Sequence, residues 1–207
     1  MIAAKDESTV AFIVLMAAPA VSGTEILLLQ QRLISQASGV PENLIAKGQA
    51  MNKGIFDIIV GSPKLSQKSL ADKLSNYLNE SLSEEDYPSG ISKDQFLTSQ
   101  INPIINPWFR FFLEYDPSIA LGRVVCPILA LNGSKDLQVD ANQNLKLIEK
   151  TLIEAGNKQL KAQVYTGLNH LFQECESGLV TEYGTIEQTI SPLVLTDISE
   201  WINSLDK

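Results

Sequence analysis

The chain has little that could hold a metal: one histidine and two cysteines among 207 residues. Cys126 and Cys175 allow at most one intrachain disulfide and form no metal-binding spacing. A zinc site with a single histidine would need Asp and Glu ligands, and no such pattern occurs. Basic residues are also in deficit, 16 Lys and Arg against 24 Asp and Glu, for a formal net charge of −8. That balance argues against nucleic acid or an anionic membrane as the main partner, since both are bound by clustered positive charge. It leaves a small neutral substrate open. No apolar run approaches a membrane span, and no internal repeat recurs. No secretory signal is expected either: Lys5-Asp6-Glu7 interrupts the apolar start, and no small-residue cleavage site follows. For a fragment this says nothing of the parent, which is open to being cytoplasmic or exported.

Hydrophobic residues at 44% and charged residues at 19% describe an ordinary globular chain, long enough to bury a substantial core. Residues 9–18 (TVAFIVLMAA) form a continuous apolar run closed by Pro19. Such a run predicts a strand covered on both faces, as in a parallel sheet. Residues 126–131 (CPILAL) end at Asn132-Gly133, and residues 161–165 (KAQVY) end at Thr166-Gly167. Between them, residues 140–155 carry Leu145, Ile148 and Leu152 at helical spacing, with Gly156 as a stop. This is a strand–helix–strand unit, for which a right-handed parallel crossover is the default. A last helix starts at Ser191-Pro192, a cap residue followed by a first-turn proline, and runs to Leu205.

The intervening stretch has helical patterns and no convincing strand: 24–38, 41–60, 66–82, 93–101 and an aromatic piece at 108–114. Breaks fall at Gly39, Gly61-Ser62-Pro63, Tyr87-Pro88, Asn102-Pro103 and Asn106-Pro107. The division expected is therefore 1–21 and 121–207 as an α/β core, and 22–120 as a helical insertion lying as a cap over the C-terminal strand ends. Ligands of open α/β sheets bind at that edge.

Two residues are placed there by the strand ends. His170 follows the turn Tyr165-Thr166-Gly167-Leu168-Asn169, and an imidazole can both take and return a proton near neutral pH. Asp136 follows the preceding strand, where a carboxylate could accept the imidazole's other N–H and fix its tautomer. Asp140 is the competing acid but is better placed as the N-cap of the next helix. Cys126 reads as a small core residue, and Trp108, Phe109, Phe111 and Phe112 read as packing before they read as an apolar pocket. Asn142-Gln143-Asn144 reads as a solvated helix face.

The segments from Pro127 to Val139 (PILALNGSKDLQV) and from Gly167 to Gln173 (GLNHLFQ) resemble the acid and histidine segments of α/β-hydrolases. The likeness is to a bacterial carboxylesterase-like group related to the prolyl-oligopeptidase and dienelactone-hydrolase branches. Residues 10–19 and the following Gly23-Thr24-Glu25-Ile26-Leu27-Leu28-Leu29-Gln30 resemble the strand and helix after that group's nucleophile. The resemblance implies a partial α/β-hydrolase fold, Asp136 as the acid, His170 as the base, a small-molecule ester as substrate, and no metal or organic cofactor.

The chain departs from that family at one decisive point. It contains no Gly-x-Ser-x-Gly, the turn that bears the nucleophilic serine, and the oxyanion-hole donors are missing with it. Ser22, in Pro19-Ala20-Val21-Ser22-Gly23, reads as a turn and helix cap, and Ser134 is a weaker substitute still. The expectation is the C-terminal half of a serine hydrolase, silent by itself. The alternatives are a non-catalytic binding domain on a degenerate hydrolase scaffold, and a different α/β enzyme using another nucleophile. Without the strand that precedes the nucleophile, residues 9–18 would expose an unpaired apolar edge, which implies a homo-oligomer through that strand.

Overall fold

The computed structural model describes residues 10–205. The architecture is mixed α/β, with a parallel three-stranded sheet in the order β1-β2-β3. The strands are β1 (Ile13–Met16), β2 (Ile128–Gly133) and β3 (Leu160–Tyr165). The helices are α1 (Gly23–Ala37), α2 (Glu42–Val60), α3 (Gln67–Ser81), α4 (Lys93–Ile101), α5 (Pro107–Glu114), α6 (Pro117–Leu121), α7 (Ala141–Glu154) and α8 (Pro192–Ser204). Two compact units result: residues 41–115 form one, and the remainder, which contains the sheet with α1 and α6, forms the other.

The sheet is helix-covered on both faces, as the unbroken apolar runs require. Ile13, Leu15, Ile128, Ala130, Leu160 and Ala162 point to one side and pack with Leu121 of α6 and Ala141, Leu145, Ile148 and Leu152 of α7. The alternate residues Phe12, Val14, Leu129, Leu131 and Tyr165 point to the other side and pack with Val194, Ile198, Trp201 and Ile202 of α8. Phe12 meets Trp201 edge-on, with ring centroids 5.7 Å apart. Every residue of β2 is buried, because among the described strands it alone has a strand on each side and a helix on each face.

β1 is shorter than the apolar run that encodes it. Its ladder to β2 closes with Ala17 N–H donating to Leu131 O at 2.8 Å, and Ala17 then turns the chain at φ +47°. A positive φ ends extended geometry, so the run's last residues leave the sheet. Thr9, at the run's start, lies outside the described residues. Ile13 N–H donates to Pro127 O, just ahead of β2, and Ala17 N–H to Leu131 O within it, so by the parity of a parallel ladder the N–H groups of Val14 and Met16 face away from β2. Among the described residues no strand pairs with that side of β1.

The 41–115 unit is helical throughout. α3 buries Leu70, Leu74 and Leu78 along one stripe, and α3 packs with α2 and α4 while α2 packs with α5. Phe56 and Phe109 meet at 6.2 Å between centroids. Trp108 and Phe111 of α5 remain 68% and 60% exposed, so these two rings are not core. α6 carries no sequence expectation because five residues show too little periodicity; its start was nonetheless written in Asp116-Pro117, a capping carboxylate and a first-turn proline.

Candidate active site

The site is assembled where β2 and β3 end side by side. After Gly133 the chain turns, and that turn is laced to the one after β3. Ser134 N–H donates to Tyr165 O at 2.9 Å, Lys135 N–H to Leu168 O at 2.9 Å, and Gly167 N–H to Ser134 Oγ at 2.9 Å. The packing leaves no room for a side chain at Gly133, where a Cβ would fall 2.2 Å from Leu168 O and 2.7 Å from Asn169 O. The loops bearing Asp136 and His170 are thus held in fixed register through their backbones.

Asp136 is buried, and its side chain has no exposed area. Oδ1 accepts the backbone N–H groups of Gln138 at 2.8 Å and Val139 at 2.9 Å. Oδ2 accepts Asn132 Nδ2 at 3.2 Å and lies 2.9 Å from Nδ1 of His170. Four partners fill the carboxylate's acceptor positions. An anionic acceptor at Nδ1 makes Nδ1 the proton-bearing nitrogen of a neutral ring, leaving Nε2 with its lone pair. The His170 side chain is 28% exposed, enough for a reacting group to reach it. The dyad's expected partners are therefore neighbours, and Asp140 is elsewhere engaged: its Oδ1 caps α7 by accepting Gln143 N–H at 2.8 Å.

The His170 turn is braced by a buried amide pair. Asn169 Oδ1 accepts Leu171 N–H at 2.9 Å and Gln173 N–H at 3.0 Å, while its Nδ2 donates to Gln173 Oε1 at 3.0 Å. Phe172 is forced to φ +58° by the tight reversal. Ala17 and Phe172, the two non-glycine residues with positive φ among those described, belong to one apolar cluster. Strain of this kind costs about 1–3 kcal/mol and collects at functional sites.

A third segment, 174–184, is pinned against the acid loop. Lys135 Nζ donates to Cys175 O at 2.8 Å and Glu176 O at 2.6 Å. The Glu182 carboxylate accepts Ser177 N–H at 2.8 Å and Gly178 N–H at 3.1 Å, and these hydrogen bonds hold its pKa below the usual carboxylate range. Tyr183 Oη accepts Gln138 Nε2 at 2.9 Å. Burial pushes the Tyr183 phenol up, with the nearby Asp136 charge adding to it. Tyr183, Gln138 and Asn132 were not singled out from the sequence; no local pattern marks Tyr183 and Gln138, which face one another across two segments, or Asn132, whose amide folds back onto its own turn.

Ser22 has a fully described structural task. Its Oγ accepts Glu25 N–H at 3.3 Å and donates to Glu25 Oε2 at 2.8 Å, a capping box that starts α1. Ser134 Oγ is taken by Gly167 N–H. The expectation for Asn142-Gln143-Asn144 needs correction at Asn144, which is fully buried. Its Oδ1 accepts Ala20 N–H at 2.8 Å and its Nδ2 donates to Asp140 O at 2.9 Å, satisfying a loop backbone that the α7 face covers. Cys126 and Cys175 are free, partly buried thiols, both pushed up by burial. Among the described residues no three His, Cys, Asp or Glu side chains gather as metal ligands would, and no helix is long and apolar enough to cross a membrane. Compared with known proteins, the chain matches no family model, no curated protein and no solved structure.

Proposed function

We propose that this chain supplies the acid and the base of a serine hydrolase acting on carboxylic esters, the nucleophile lying outside the chain. The observation that carries the reading is the His170 Nδ1 to Asp136 Oδ2 contact of 2.9 Å on a buried, four-partner carboxylate. In this scheme Asp136 holds His170 in the Nδ1–H tautomer. Nε2 then takes the proton of a serine hydroxyl as that oxygen attacks the ester carbonyl. The imidazolium so formed, stabilised by Asp136, returns the proton to the leaving alkoxide, and the acyl-serine is hydrolysed by the same base acting on water. On this reading the described sheet is part of an α/β-hydrolase sheet, and no metal or organic cofactor takes part. The order of chain elements supports it: strand, acid, helix, strand, histidine.

The test is to isolate the chain from its native cells together with any polypeptide that precedes it in frame or copurifies with it. That preparation should hydrolyse p-nitrophenyl esters and carry a fluorophosphonate-reactive serine. His170→Ala should lower turnover by a factor of about 10³ or more. A preparation with neither ester hydrolysis nor a reactive serine would overturn the reading.

A further inference from the structure

To aim an imidazole, a carboxylate must be fixed in both its plane and its rotation. The backbone donors from Gln138 and Val139 fix only Oδ1. Oδ2, the oxygen facing His170, has one other partner, Asn132 Nδ2 at 3.2 Å. The same amide nitrogen lies 2.9 Å from Val139 O, so its two protons reach the carboxylate and the far end of the turn that carries it. Asn132 stands at the end of the fully buried strand β2 and is itself 1% exposed. Its other end, Oδ1, is buried with no hydrogen-bond partner among the described residues. An orphaned acceptor destabilises a fold. A leucine would fill the same space without it, and an aspartate would set a second carboxylate against Asp136. What Asn132 contributes is its donor end.

We propose that Asn132 is a positioning residue for the Asp136–His170 pair: it locks Oδ2 in the orientation that keeps the imidazole proton on Nδ1. This rests on the dyad reading given above. The amide closes the mouth of the 136–139 turn, so Oδ2 cannot rotate away from the ring.

The chain's single histidine makes the test direct, because histidine-specific ¹⁵N labelling reports one imidazole. In the unaltered chain the neutral ring should carry its proton on Nδ1 and exchange it slowly with water. In Asn132→Leu the protein should stay folded, the Nε2–H tautomer should become visible, and the Nδ1 proton should exchange about ten-fold faster. A folded Asn132→Leu protein with unchanged tautomer and exchange would overturn the proposal. Should leucine prevent folding, Asn132→Ala, which adds no bulk, is read in the same way; failure of both to fold would assign Asn132 to the fold alone and also overturn it. Asp136→Asn separates the two levels. If it leaves the ring unchanged, the dyad reading itself has failed. If it abolishes the Nδ1–H signature while the Asn132 variants do not alter it, only the positioning role is lost.

Discussion

Gly133 and Leu168 touch backbone to backbone: a Cβ on Gly133 would lie 2.2 Å from the Leu168 carbonyl oxygen. One residue ends the strand that leads to the acid, and the other lies two residues before the base. The distance between them sets the distance between the acid and base loops.

Gly133→Ala should therefore damage the pair without touching either member. Neither Leu168 O nor Asn169 O is a flexible side-chain tip, so the loops must separate. Such overpacking typically costs about 1–3 kcal/mol. Chemical denaturation should show that loss, and a structure of the variant should show the Asp136 to His170 hydrogen bond lengthened or broken. A variant as stable as the parent, with the contact intact, would contradict this account of the loops.

The isolated chain should have no esterase activity on activated aryl esters above that of its His170→Ala variant. A base without a nucleophile and an oxyanion hole lacks the groups that dominate this chemistry. Ser22, the stronger of the two serines weighed from the sequence, is committed to capping α1, and Ser134 Oγ is taken by Gly167 N–H. Robust turnover abolished by Ser22→Ala would make the chain a complete enzyme with an unfamiliar nucleophile.

The outer edge of β1 should make the isolated chain associate. Val14 and Met16 turn their N–H groups away from β2, Met16 is 42% exposed, and the strand has neither a charge nor a proline to blunt pairing. The expected species is a dimer or larger oligomer whose contact includes β1 and buries more than roughly 1,000 Å². Light scattering that reports a monomer at high concentration would refute this.

At alkaline pH the fold should weaken from the tyrosines on its site side. Tyr165 is pushed up by burial first and by its hydrogen bond to Asp197 second; Tyr183 is pushed up chiefly by burial. A phenol whose pKa is raised by folding contributes stability that is fully present below its unfolded value, about 10, and is lost as pH climbs from there through the folded value. Phenolate absorbance should show two of the five tyrosines ionising late, together with loss of structure. Ionisation of all five before any unfolding would speak against it.

The sequence made most elements legible because apolar periodicity and cap residues are local signals. Residues 126–131 and 161–165 anticipated β2 and β3 to within about two residues at either end, and Asp140 and Ser191-Pro192 marked the starts of α7 and α8. The site was half legible. Asp136 and His170 could be proposed because each follows a strand, a fact available along the chain. Tyr183 and the burial of Asn144 could not, because each depends on what a distant segment places opposite, Gln138 and Ala20 respectively; Asn132 could not, because how the turn after it folds its amide onto Asp136 and Val139 is not written in residue type. β1 ends before its apolar run does because a single dihedral at Ala17, invisible in residue type, ends the extended backbone.

The unequal cover of the strands has a kinetic consequence. β2, walled in on every side, belongs to the part of a domain whose amides exchange with solvent only on global opening, whereas β3 is an edge strand with Lys161 and Val164 exposed. Asp136 hangs from the first and His170 from the second. The two members of the pair are therefore moored in regions of different opening free energy, and deuterium uptake should run ahead on the His170 side. Warming or mild denaturant would detach the base while the acid stays in place, so the pair should be lost before the domain is.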